Sequence, residues 1–474
     1  MNMKKTLLLA FLSTFAASSV LSQEQMVLRK GEIIEAIPVQ DSVQNTFSLY
    51  LPTGFNTDKK WPLLMIFEME GKERQAMSMF VQAAEKQGYV LAAPKMRDTV
   101  SLTNSMIAVS KSLERIMGML PIDLDRIYAG GAASGGRFAS LTPILLNGIK
   151  GVLSVGASVA NSELLNLKQP FHFVGIVSRE NYNYTPMLND TELLDRLKFP
   201  NQVLLYEGNS DWPSIGDLEK GMQLFTLAAM GRRLIPKDSL YVEKAYQEDL
   251  DKVNQLKRTG DLIWAEHHLT EMMSIYGAHK NLDSLRTVQR DLRRDKQFKA
   301  MKRNENSAFL KESLLKEDYV YYMEEDVYTH NFNNLGWWNH QMGEIQKFIS
   351  GSNPYEKQMG HRLLGFVNAL ALDNIGVIQS DSVVDEDALA FLYMLKTILD
   401  PNNFDYYLKT ISLSAKNEDF GTALFYLEEA LKKGFKDRKK LYSIENTALF
   451  RITPEFNEMV AKYLKDARYE MDEN

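Results

Sequence analysis

The chain has 474 residues, 45% hydrophobic and 24% charged, with a formal net charge of −6 and no cysteine. That length accommodates two domains with cores of their own, and the balance is that of a soluble globular protein. It excludes the basic footprint of a nucleic-acid binder, disulfide bonds and thiolate chemistry.

In chain order, Lys4-Lys5 precede an apolar run from Leu7 to Val20 that ends in Leu21-Ser22-Gln23. A basic start, a brief apolar segment and a small residue before polar sequence predict a secretory signal peptide over residues 1–22. The expected location is therefore periplasmic, outer-membrane-associated or extracellular. With no cysteine, a lipid-linked cysteine at the cleavage site is excluded. No later stretch reads as a transmembrane segment.

Residues 23–235 alternate short β-rich runs with amphipathic windows. The predicted strands are Phe47–Leu51, Pro62–Phe67, Tyr89–Ala93, Arg126–Gly130, Val152–Val155, His172–Val177 and Gln202–Tyr206. The predicted helices between them include Glu73–Lys86, Ser101–Met119, Gly136–Leu146 and Ile215–Met230. Near-continuous apolar strands alternating with helices imply an α/β fold, a doubly wound and mostly parallel sheet with an antiparallel edge before Pro52.

Beyond Pro236 strand signals stop, so residues 236–474 read as an all-α domain. Asp419–Leu431 has the spacing of a tetratricopeptide second helix, with small Ala423 and Ala430 at close approaches and Phe420 and Leu427 between helices. One period of about 34 residues upstream, Leu389 and Tyr393 fall on Ala423 and Leu427. A non-repetitive helical bundle with alanine at its contacts is the alternative. Trp337-Trp338 and Tyr319–Tyr322 read as helix packing more readily than as a groove lining.

The chemistry-bearing segment is Asp125-Arg126-Ile127-Tyr128-Ala129-Gly130-Gly131-Ala132-Ala133-Ser134-Gly135-Gly136. It resembles the strand and G-x-S-x-G turn of α/β-hydrolases, in particular the esterase and polyhydroxyalkanoate-depolymerase branch. Aligned on Gly131 and Gly135, the nucleophile position holds Ala133. Related bacterial esterases carry their acid in a segment like G-x-x-D-x-N-Y. Here Ser178–Tyr184 matches, with Asn181 at the acid position. Their histidine lies in G-G-H-E-W-P, and the match Gly208–Pro213 places Ser210 there. The resemblance covers roughly residues 45–230.

Acyl transfer needs a nucleophile, a base and an acid that orients the base. Ala133, Asn181 and Ser210 supply none of these, so the resemblance implies a hydrolase fold without its chemistry. The alternative is an active serine esterase or depolymerase that uses Ser134 in an A-x-S-x-G elbow. That reading must find an imidazole, and His172 stands at the start of a strand, the wrong end for catalysis. The other histidines, including His267-His268 and His340, fall in the helical half. Acidic residues Glu68, Glu70 and Glu73 follow the strand that would offer the oxyanion amides, and would oppose a developing negative charge.

No metal-binding or nucleotide-binding spacing emerges, and no cofactor is implied. Tyr182, Tyr184 and Trp212 are the candidates for a retained ligand pocket. The composite expectation is a binding or scaffolding component of the bacterial cell envelope, with a protein partner on the helical half and a small ligand in the old cleft. A carbohydrate- or peptide-handling accessory of an outer-membrane machine is a further reading.

Overall fold

Apolar runs that alternate with helical windows become a sheet only if the strands can be covered on both faces, and here they are. The computed structural model describes residues 28–39, 45–208 and 212–464; the segment read as a signal peptide lies outside them. Eight strands form one sheet: β1 (Ile33–Pro38), β2 (Thr46–Tyr50), β3 (Trp61–Phe67), β4 (Val90–Pro94), β5 (Ile122–Ala132), β6 (Gly151–Val155), β7 (His172–Ser178) and β8 (Asn201–Tyr206). Their order is β1-β2-β4-β3-β5-β6-β7-β8. β1 pairs with β2, and β2 with β4, antiparallel; every later pairing is parallel. Strands β3, β4, β6, β7 and β8 are buried at every position, as covered parallel strands require.

The connecting helices are α1 (Glu73–Gln87), α2 (Leu102–Met119), α3 (Ser134–Leu145), α4 (Tyr184–Arg196) and α5 (Ile215–Gly231). This is an α/β-hydrolase-like sheet, and a helical region follows it. Its helices are α6 (Ser239–Thr259), α7 (Leu262–Tyr276), α8 (Asp283–Arg294), α9 (Lys296–Thr329), α10 (Leu335–Ser350), α11 (Pro354–Ser380), α12 (Glu386–Leu399), α13 (Phe404–Lys416) and α14 (Phe420–Lys432). Short helices α15 (Arg438–Tyr442), α16 (Ala448–Arg451) and α17 (Pro454–Tyr463) complete it.

Strands end near Pro236, but the first hydrophobic core does not. It runs from Ile37 through Phe298, so α6, α7 and α8 pack into the same core as the sheet. A second core spans Ala308 to Leu399, and a third Tyr407 to Leu464. In the third, Ala423, Leu427 and Ala430 of α14 are fully buried, and α12, α13 and α14 pack against one another in chain order.

Helix α11 corrects one expectation. By length and composition alone it is apolar enough to cross a membrane. In the fold one face of it packs on the second core, burying Met359, Leu363, Val367, Ala371 and Ile375. The same helix buries Arg362, whose guanidinium pairs with Glu312 of α9 at 2.7 Å.

The exposed edge of β8 is a hazard that α7 answers. His267 donates from Nε2 to the Val203 carbonyl at 2.7 Å, and the Glu271 carboxyl, one helical turn on, accepts from the Val203 amide. Two side chains thus replace the missing neighbouring strand at that residue. Burial, with Asp195 adding to it, pushes Glu271 up to about 8 against the opposing effect of the Val203 bond. The folded chain therefore holds a proton that the unfolded chain releases near 4.5. This contribution to stability is complete below that value and is lost as pH rises through about 8. Glu271→Gln keeps the acceptor and removes the titration. Its melting temperature is expected to equal wild type at about pH 4 and exceed it at about pH 8.5, as calorimetry across that range would read. A variant that melts lower than wild type at both values contradicts this account of the edge.

Candidate functional site

The sharpest backbone feature of the sheet is the turn from β5 into α3. Ala133 stands at its apex with φ 48° and ψ −120°, a conformation that L-residues other than glycine rarely adopt. Its amide donates to the Val155 carbonyl at 2.9 Å, which fixes the apex to the end of β6. The flanking glycines are steric necessities. A Cβ at Gly135 would stand 2.1 Å from the Phe67 carbonyl oxygen, and one at Gly131 2.6 Å from the same oxygen. So α3 begins almost in contact with the end of β3. The glycine spacing seen in sequence follows from that approach, and the residue it presents is Ala133, with Ser134 as the first residue of the helix. Both are exposed.

The loop after β7 comes to the same end of the sheet. Ser178 donates its hydroxyl to the Gly208 carbonyl at 2.6 Å, tying the loops after β7 and β8 together. Asn181 accepts from the Asn183 amide at 2.8 Å, and Asn183 donates its side-chain amide to the Gly156 carbonyl at 2.7 Å. Gly156 follows Val155, the residue that holds the Ala133 amide, so Asn181 lies next to the elbow through two short links. The side-chain nitrogen of Asn181 itself stands 3.3 Å from the point a Cβ on Gly156 would take. Ser210 lies outside the described residues.

The histidines are placed elsewhere. His172 is buried at the start of β7, the opposite end of the sheet, where its Nε2 meets the Gln202 side chain. Burial pushes it down to about 4, and its Nδ1 has no partner among the described residues. His267 serves Val203, His268 pairs with Asp249 at 3.2 Å, and His279 bonds the Leu227 carbonyl. His330 pairs with Asp385, and His340 lies 3.9 Å from Glu344. None of these six is hydrogen-bonded to Ser134.

The seventh histidine was not legible as a site residue. α11 crosses the carboxyl ends of β7 and β8 and brings His361 to a cavity of about 460 Å³ whose walls include Asn181, Tyr182, Gly208 and Asn368. The nearest sequence signal is Arg362, a charged residue beside the apolar stripe of a long helix. Its Nη1 donates to the Arg179 carbonyl at 2.7 Å, which locks α11 onto the loop that carries Asn181.

The three aromatic pocket candidates are not brought together. Tyr182 lines this cleft and packs on Gly365. Tyr184 is buried against Phe309 under the Arg362 guanidinium. Trp212 lies edge-on to Phe80 and borders a separate groove between β8, α5 and α6 that also holds the Lys220–Asp249–His268 cluster. In the acidic segment after β3, Glu68 folds back to accept from the Glu70 amide at 2.8 Å and from the Lys72 amide, while Glu70 pairs with Lys72. These charges are engaged within their own loop. Among the described residues no group of three or more metal-ligating side chains gathers.

No protein-family model matches the sequence, and no curated protein is significantly similar to it. Solved structures do match in part. An esterase B from Lactobacillus rhamnosis is 15% identical at a TM-score of 0.35, over 49% of this chain and 97% of its own. An esterase from the Planctomycetes species Thermogutta terrifontis is 11% identical at 0.34, over 44% of this chain and 94% of its own. A Bacteroides ovatus protein named as a dipeptidyl aminopeptidase IV is 12% identical at 0.33, over 41% of this chain. The chain spans only 35% of the length of that last protein.

Proposed function

We propose that this is an exported hydrolase-fold protein that has lost serine-hydrolase chemistry and acts as a binding or scaffolding component of the bacterial cell envelope. The observation that carries the reading is Ala133 at the apex of the β5–α3 turn, at φ 48°. A backbone strained in that way is kept where it aims a side chain at a reacting centre. A methyl group aimed there can exclude water or touch a ligand, but it has no lone pair with which to attack a carbonyl. Asn181 on the neighbouring loop carries no charge to support an imidazolium, and Ser210 is no base near neutral pH.

On this reading the cleft between Asn181, Tyr182 and His361 holds a small ligand without turning it over. The helical half after Pro236, read as tetratricopeptide-like, offers the surface for a protein partner. A signal peptide over residues 1–22 sends the chain to the envelope.

The second reading, an esterase using Ser134, keeps one supporting observation. Ser134 opens α3, where helix N-terminal amides favour developing negative charge. It needs a base, and none of the six imidazoles placed above is hydrogen-bonded to Ser134. Hydrolysis of a p-nitrophenyl ester separates the two. The chain is expected to turn it over no faster than its Ser134→Ala variant, and a rate that falls more than about a hundredfold in that variant would restore the enzyme.

A further inference from the structure

Away from the cleft, α12, α13, α14 and the turn at Phe332 enclose a groove of about 560 Å³ in the helical half. Its floor is apolar, formed by Phe332, Met394, Leu413, Phe425 and Tyr426. Phe425 is 58% exposed, an unusual position for a phenylalanine within a helix whose other face is core. Ala390 and Gly421 leave the space above it open because neither projects a long side chain.

The rim has one sign of charge. Asp387 and Asp419 line the groove, and no lysine, arginine or histidine does. Asp387 has no ion-pair partner among the described residues. Its neighbours are engaged: Asp385 is hydrogen-bonded to His330 at 2.9 Å, and Glu386 pairs with Lys416. The Asp419 side chain accepts from the Thr422 amide at 3.0 Å, as the cap of α14, and has no ion-pair partner among the described residues. An acidic occupant would meet these two carboxylates with no compensating cation. A purely apolar one would leave them desolvated and unpaired.

We propose that this groove seats a segment of a partner protein in which apolar side chains stand beside lysine or arginine. The apolar residues cover Phe425, Met394 and Phe332, and the cations answer Asp387 and Asp419. The inference rests on the reading of the helical half as a partner-binding surface and names the chemistry of that partner.

The test uses the whole chain without its first 22 residues and a short fluorescein-labelled peptide of alternating leucine and lysine, read by fluorescence anisotropy. The same peptide with glutamate for lysine is the control. The lysine peptide is expected to bind at least about tenfold more tightly than the glutamate one, and to weaken as salt rises. Phe425→Ser, at an exposed position that does not threaten the fold, is expected to weaken it about tenfold or more. Asp387→Lys is expected to erase the preference between the peptides. Equal binding of both peptides overturns the charge assignment. Binding unchanged in Phe425→Ser overturns the groove. If the chain sediments as a dimer that Phe425→Ser dissociates, the occupant is a second copy and the proposal fails. None of these readouts depends on the elbow being inert, and ester hydrolysis reports on that separately.

Discussion

Arg362→Ala is expected to destabilise the chain by about 3–5 kcal/mol, because it strands a buried carboxylate. The Arg362 and Glu312 side chains are 1% and 2% exposed, so Glu312 cannot recover its hydration when the guanidinium is removed. Lys316, at 2.7 Å from Glu312, offsets part of the loss. It cannot replace the planar fork that also reaches the Arg179 carbonyl and lies over Tyr184 and Phe309. The damage should therefore reach beyond the second core. Amides of residues 179–183 are expected to exchange faster in the variant, as hydrogen-exchange mass spectrometry would read. Pairing Arg362→Met with Glu312→Leu removes both charges and should recover most of the stability. Failure of that double variant to recover would mean the guanidinium acts mainly through Arg179.

Gly135→Ala is expected to cost about 3 kcal/mol or more, at the upper end of overpacking effects. The added methyl would lie 2.1 Å from the Phe67 oxygen and 2.9 Å from the Phe67 carbonyl carbon. Both are backbone atoms of a buried strand, so no side chain can swing aside, and α3 must lift from β3. Denaturant unfolding reads the loss. A cost below about 1 kcal/mol would show that the elbow is looser than its contacts imply.

The elbow was legible because its glycines, which the backbone of Phe67 imposes from β3, fall at a fixed short spacing along the chain. Seven strands were legible because strands covered by packing are written as apolar runs, six of them in the parallel part of the sheet and β2 beside it. β1 escaped. Ala36 takes φ 56° and the register slips between Ile34 and Ile37, so the apolar alternation that marks a half-buried strand is broken. α4 escaped because only Tyr184, Met187 and Leu194 of its residues are buried, too sparse a stripe to stand out. The cleft itself was not readable. Its two walls come from Asn181 and His361, residues 180 positions apart in number that meet only because Arg362 clamps α11 onto the loop after β7. Likewise Tyr182, Tyr184 and Trp212, neighbours in composition and spacing, part company once the helix after Asn183 turns Tyr184 into the core.

Incubation with a fluorophosphonate followed by intact-mass measurement tests the loss of the nucleophile most directly. The account predicts an unchanged mass, with Ala133 at the apex and no activated hydroxyl beside it. A single phosphonyl adduct that maps to Ser134 and disappears in Ser134→Ala would contradict it.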